Sequence, residues 1–175
     1  MNKGIIAAAA AIVFVSGMGV GYSAKPSPAP ALYHGKTGQE AAQGLLGLAT
    51  KQAGDGSWER IAVGRVYYLG GLKDQGQAIF DQMLAGKHDD GDAYRIARVY
   101  REAGELERAN AMFDRYLANN RDDARALSEI GAYALLDGNR ERAEQLFDRS
   151  FAEERDDMWA TLQAAGAYLG VVPQQ

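Results

Sequence analysis

One spacing constrains this chain more than its composition does. Gly104, Ala109 and Phe113 are followed 34 residues later by Gly138, Ala143 and Phe147, and preceded 33 residues earlier by Gly71, Gly76 and Phe80. The stretch from Asp92 to Asn119 shows what one unit holds. A helical period places Ala93, Ile96, Ala97 and Tyr100 on one face of a first segment. The same period puts Leu106, Ala109, Ala111, Phe113 and Tyr116 near another face of a second segment, with Gly104 between the two. Small residues let two helices approach and large ones fill the space beside them. The pattern predicts a helical hairpin, used several times over.

A period of this length with this residue order resembles the tetratricopeptide repeat family. The resemblance runs from Thr37 to Gly170. It implies an all-α fold, a right-handed α-solenoid of stacked helical hairpins in which first helices line a concave face. The units are a half repeat at 37–53, repeats at 57–89, 90–123 and 124–157, and a C-terminal helix at 157–170. The chain departs from the family at three positions. The family's tryptophan position holds Arg60, Ala93 and Leu127, and its terminal proline position holds His88, Arg121 and Arg155. In the third unit the tyrosine is displaced, with Ala134 in register and Tyr133 one residue ahead.

Ahead of the units, residues 1–24 read as an export segment. Lys3 precedes the apolar run Ile5 to Val15, which gives way to Ser16, Gly17, Met18 and Gly19. Two fates fit this pattern: a cleaved signal peptide, or a retained inner-membrane anchor through residues 5–21, where Gly17 and Gly21 form a small-residue pair. Both place the remainder outside the cytoplasm, in the periplasm. Residues 25–36 follow as a proline-rich linker, with KPSPAPA expected to be extended and not helical. Thr37 and Glu40 form a capping box opening a helix over 38–52. Ser57 is expected to cap a helix ending at Leu69, and Lys73 to Leu84 is its partner. The third hairpin takes Ala124 to Leu136 and Arg140 to Phe151, and the last helix, Asp157 to Gly170, is expected to form a solvating end to the array.

Chemistry has few candidates. The 175 residues include no cysteine and two histidines, His34 and His88, and carry a net charge of −4 without any polybasic run. Thiol chemistry is thereby excluded, nucleic acid is not the expected partner, and no cofactor is implied. His88, Asp89, Asp90, Gly91 and Asp92 could wrap a cation, but Asp122 with Asp123 and Asp156 with Asp157 recur at the same point of later units. Recurrence before a first helix predicts helix caps and no metal site. No nucleophile elbow, phosphate loop or dinucleotide fingerprint is present, so no enzymatic activity is expected. Mixed charges on the second helices, including Asp114, Arg140 and Arg142, read as a solvated face.

The resemblance assigns partner binding to the first helices, at Trp58, Ile61, Arg65, Tyr68, Tyr94, Arg98 and Arg101. Arg65 and Arg98 share one repeat position. Rings and guanidinium groups dominate binding hot spots, and such a row suits a protein or peptide partner with acidic groups. The competing reading pairs these arginines with Glu59, Glu102 and Glu129 in a merely solvated groove. The expected function is a non-catalytic protein–protein interaction scaffold of the bacterial cell envelope. The alternative is a membrane-anchored accessory subunit of a secretion, pilus or polysaccharide-export assembly.

Overall fold

The computed structural model describes residues 26–86 and 89–174. The export segment and His88 therefore lie outside the described residues. Eight α-helices and one short 3-10 turn make up the described chain, with no strand among the described residues. They are α1 (Gly38–Ala53), α2 (Ser57–Leu69), α3 (Lys73–Ala85), α4 (Asp90–Glu102), α5 (Leu106–Asn119), α6 (Ala124–Leu136), α7 (Arg140–Glu153) and α8 (Met158–Tyr168). None is long and apolar enough to cross a membrane.

The turns explain the pairing. Gly71, Gly104 and Gly138 adopt φ of 87, 80 and 87°, a left-handed conformation that only glycine takes without strain. Each turn closes its helix with a six-to-one hydrogen bond: Leu72 N to Tyr67 O at 2.9 Å, Glu105 N to Tyr100 O and Asn139 N to Ala134 O, both at 2.8 Å. So short a connection folds the next helix back, and α2 packs on α3, α4 on α5 and α6 on α7. The result is a helical, repeat-like arrangement.

Inside each hairpin the small and large residues meet as the spacing predicts. A Cβ added to Gly64 would come within 2.6 Å of the Phe80 ring, and one on Gly131 within 2.8 Å of Phe147. Phe80, Phe113 and Phe147 are buried, and each ring also reaches a tyrosine on the following hairpin or helix. Phe80 meets Tyr100 at 5.8 Å, Phe113 meets Tyr133 at 5.8 Å and Phe147 meets Tyr168 at 6.2 Å between ring centroids. The displaced Tyr133 thus does the work of the in-register tyrosine. One core runs from α2 to α7, and a second, smaller cluster joins α6, α7 and α8.

The helix starts carry the expected chemistry, with adjustments. Thr37 accepts from Glu40 N at 3.3 Å while the Glu40 carboxylate accepts from Thr37 N at 2.9 Å, completing the capping box. Asp89, Asp123 and Asp157 cap α4, α6 and α8, accepting at 2.8, 3.0 and 2.7 Å. It is Asp123 and Asp157, the second residue of each later pair, that hold the cap. Ser57 is the first residue of α2 and Gly56 stands at its cap. The proline segment also differs from expectation. Pro30–Leu32 forms a 3-10 turn, which proline tolerates at a first position because its missing N–H has no partner there anyway. Pro26 O accepts from the Gln52 side chain at 2.6 Å, and Leu32 packs over Gly44, so this segment lies along α1 rather than standing off as a spacer.

The last helix is a correction of a different kind. α8 ends in the same turn as α2, α4 and α6, with Gly170 at φ 79° and Val171 N bonded to Gly166 O at 2.8 Å. Its outer surface is not the polar one a solvating end requires. Met158, Trp159, Leu162, Tyr168 and Leu169 are all exposed there, Trp159 at 58% and Leu169 at 82%.

Candidate functional site

The seven predicted site residues divide into two groups. Ile61, Tyr68 and Tyr94 are buried, which corrects their assignment to a partner-facing surface. Tyr94 lies 5.3 Å from Phe113 and 4.7 Å from Tyr116, and Tyr68 lies 5.6 Å from both Phe80 and Tyr100. The physical reason differs between the two rings. Tyr94 is covered by two rings of its own hairpin partner, Phe113 and Tyr116 of α5, whereas Tyr68 sits between Phe80 of its partner α3 and Tyr100 of the next first helix. The buried stripe of a first helix is therefore wider than the small-residue positions alone mark. Trp58, Arg65, Arg98 and Arg101 remain accessible in whole or part, with Trp58 65% exposed beneath the Arg95 guanidinium at 4.8 Å.

The arginines are tied across neighbouring first helices. Arg65 on α2 grips Glu102 on α4 in a forked pair through one edge of its guanidinium, Nε and Nη2 donating to the two carboxylate oxygens, with Nε to Oε2 at 2.7 Å. Arg98 on α4 grips Glu129 on α6 in the same forked way, with Nε to Oε1 at 2.6 Å. Arg101 bonds Asp137, at the end of α6, at 2.8 Å. Glu102 and Glu129 are thus the partners that the competing reading anticipates. Asp137 is a partner it did not include, because it belongs to the hairpin turn. Arg98 also covers the Tyr94 ring at 4.7 Å and Arg101 the Tyr133 ring at 4.3 Å.

Glu129 is the centre of this network. It is 3% exposed and accepts from the Tyr133 hydroxyl at 2.7 Å as well as from Arg98. Burial, and then the Glu129 charge, hold the Tyr94 and Tyr133 phenols far above their ordinary value of 10.0. Burial works against the charge on Arg98, and the Glu129 hydrogen bonds more than offset it, so its guanidinium is held even more firmly protonated. At the neighbouring junction, a hydrogen bond from Lys73 leads in pulling the Glu105 carboxyl below 4.5, helped by the Tyr68 hydroxyl at 2.7 Å. Each of these groups is locked in one protonation state near neutral pH. The set is suited to recognition by fixed charge and fixed rings.

Two cavities complete the surface, and the sequence pattern predicts neither. One, of about 330 Å³, is lined by Arg98, Arg101, Glu102, Tyr133 and Val172. The other, of about 320 Å³, lies between α8 and the segment after it, lined by Trp159, Leu162, Gly166, Val171 and Val172 among others. Val172 borders both. It connects the arginine row to the apolar face of α8, while Pro173 beside it is buried. The one sequence signal was Trp159, an exposed-type ring at the same unit position as Trp58. Comparison of the chain with protein-family models, with curated proteins and with solved structures finds no match.

Proposed function

We propose that this chain is a non-catalytic interaction scaffold, a solenoid of stacked hairpins of the tetratricopeptide-repeat kind, that binds a peptide or protein segment along the face of its first helices. The observation that carries the reading is the shared border at Val172. It makes one path out of a charged half, with Arg98, Arg101 and the Glu102 that Arg65 holds, and an apolar half, with Trp159 and Leu162. Forked guanidinium groups beside exposed rings favour a segment with acidic residues followed by apolar ones. Because each arginine already has a carboxylate partner, an acidic ligand exchanges one pair for another, and the apolar half supplies most of the affinity. Export through residues 1–24 would place this surface in the cell envelope.

The test is recovery of the partner from envelope extracts with full-length chain, followed by affinity measurements at two salt concentrations. Arg98→Glu should weaken binding in a salt-dependent way, since exposed charge attraction is screened over about 8 Å at physiological ionic strength. Trp159→Ala should weaken it regardless of salt. Unaltered binding by a folded double variant removes the site from this face.

A further inference from the structure

Between the second helices α5 and α7 stand arginines of another kind. Asp114 and Leu117 on α5, Arg121 just after it, and Arg142, Leu146 and Arg149 on α7 enclose an open cleft of about 500 Å³. Three guanidinium groups line it against a single carboxylate, on a chain whose net charge is −4. Asp114 is taken by Arg142, at 2.6 Å. Arg121 and Arg149 are in no ion pair among the described residues. Arg121 Nε donates to the Ala118 carbonyl at 3.3 Å, and Arg149 Nη2 to the Arg121 carbonyl at 3.2 Å. Those bonds hold the two side chains beside the cleft and leave their charge unneutralised. Arg142 Nε is buried without a hydrogen-bond partner. Leu117 and Leu146, both buried, give the cleft an apolar floor.

We propose that this cleft between α5 and α7 is a binding site for a small organic dianion, one whose phosphate or paired carboxylates meet Arg121 and Arg149 and whose short apolar body rests on Leu117 and Leu146. An excess of two positive charges matches a dianion. The planar fork of arginine matches its oxygens better than a lysine would. The volume falls in the range of small-molecule sites. The site is independent of the first-helix face, where every arginine in the proposed row is paired.

The experiment titrates the full-length chain with phenyl phosphate, with phthalate and with inorganic phosphate, following heat and melting temperature. The expected result is saturable binding of phenyl phosphate or phthalate, at least tenfold tighter than inorganic phosphate, and whichever of the two binds tighter identifies the oxyanion. Arg121→Ala with Arg149→Ala should weaken it at least tenfold, Arg149→Lys by less, and Arg65→Ala on the other face not at all. Arg121 and Arg149 are exposed, so these variants should keep the wild-type circular dichroism spectrum. Absence of saturable binding by both aromatic probes, equal binding in the double alanine variant, or an equal loss in Arg65→Ala overturns the proposal.

Discussion

The junction between α4 and α6 and the junction between α6 and α8 use the same unit position in opposite ways. Arg98 on α4 and Ala132 on α6 are 34 residues apart and correspond in register. At the first junction no Cα of α4 comes within 8 Å of one in α6, and the space is filled by the Arg98–Glu129 pair, the Arg101–Asp137 pair and the Phe113–Tyr133 stack. At the second, Ala132, Ala160, Ala164 and Ala167 are buried, Ser128 donates to Gln163, and α8 closes directly against α6. A small side chain at this position lets α8 close on α6, but a long one does not by itself hold helices apart. Arg65, at the same position on α2, pairs with Glu102 while α2 and α4 also approach within 8 Å. What distinguishes the α4–α6 junction is that paired side chains and stacked rings fill it and leave guanidinium groups at the surface, whereas α8, closed on α6 through alanines, keeps large apolar residues on its outside.

Ring removal should separate the junctions most. Phe113→Ala should cost about 3 to 5 kcal/mol, since its ring meets Tyr94 within the hairpin and Tyr133 across the wide junction. Phe147→Ala should cost less within that range, because the Tyr168 it meets is half exposed. Denaturant midpoints at constant slope decide the order, and a larger loss for Phe147→Ala would invert the comparison.

Charge removal comes next. Glu129→Ala leaves Arg98 partly buried without its partner and should cost roughly 2 to 4 kcal/mol, reduced from a fully buried case because Arg98 keeps some contact with water. The matching change at the close junction is Ala132→Val, where overpacking should cost about 1 to 3 kcal/mol. If Glu129→Ala is nearly neutral, the pair only fills space. Relaxation of α4 and α6 toward each other would then account for it.

The hairpins should also answer to pH. Tyr94 and Tyr133 titrate above their ordinary 10.0 in the folded protein, so they stay protonated where the unfolded chain would ionise. Their contribution is complete below pH 10 and is lost as pH rises beyond it. Glu105 titrates below 4.5, so its contribution is complete above that value and is lost as pH falls through the lower folded value. Thermal melts across pH should show loss at both ends, and Tyr133→Phe should flatten the alkaline one. The smallest stability effect is expected on α8's outer face. Leu162→Ser should stay within about 0.5 kcal/mol, because that side chain packs on little.

Local structure was legible in the sequence because it is governed by near neighbours. The 33- and 34-residue recurrence located three hairpins, the bounds of α6 agree with expectation at both ends, and α2 ends where expected but begins at Ser57 itself, one residue before the start a Ser57 cap would give. Glycine turns and aspartate caps each need only a few adjacent residues, which is why they could be read. What could not be read depends on packing between units. Nothing near Tyr94 in the chain indicates that Tyr116 and Phe113 will cover it, so it looked like a free ring. Glu129 could be named as a candidate partner of the arginines, but nothing near Arg98 says that this pair, rather than a bound segment, fills the space between α4 and α6. Arg142 was placed on a solvated face by its mixed-sign neighbours, whereas its partner Asp114 sits 28 residues away on another helix. Val172, after the last helix, follows no period at all, and its position between two cavities comes from the turn at Gly170.

The most direct test places a photo-activated cross-linking residue at Val172 of the full-length chain in cells, with Glu107 on the second-helix side as the control position. The account predicts one discrete adduct at Val172, weakened by Arg98→Glu and lost in Trp159→Ala, and none at Glu107. An adduct formed equally at Glu107, or one at Val172 that both substitutions leave unchanged, would contradict it.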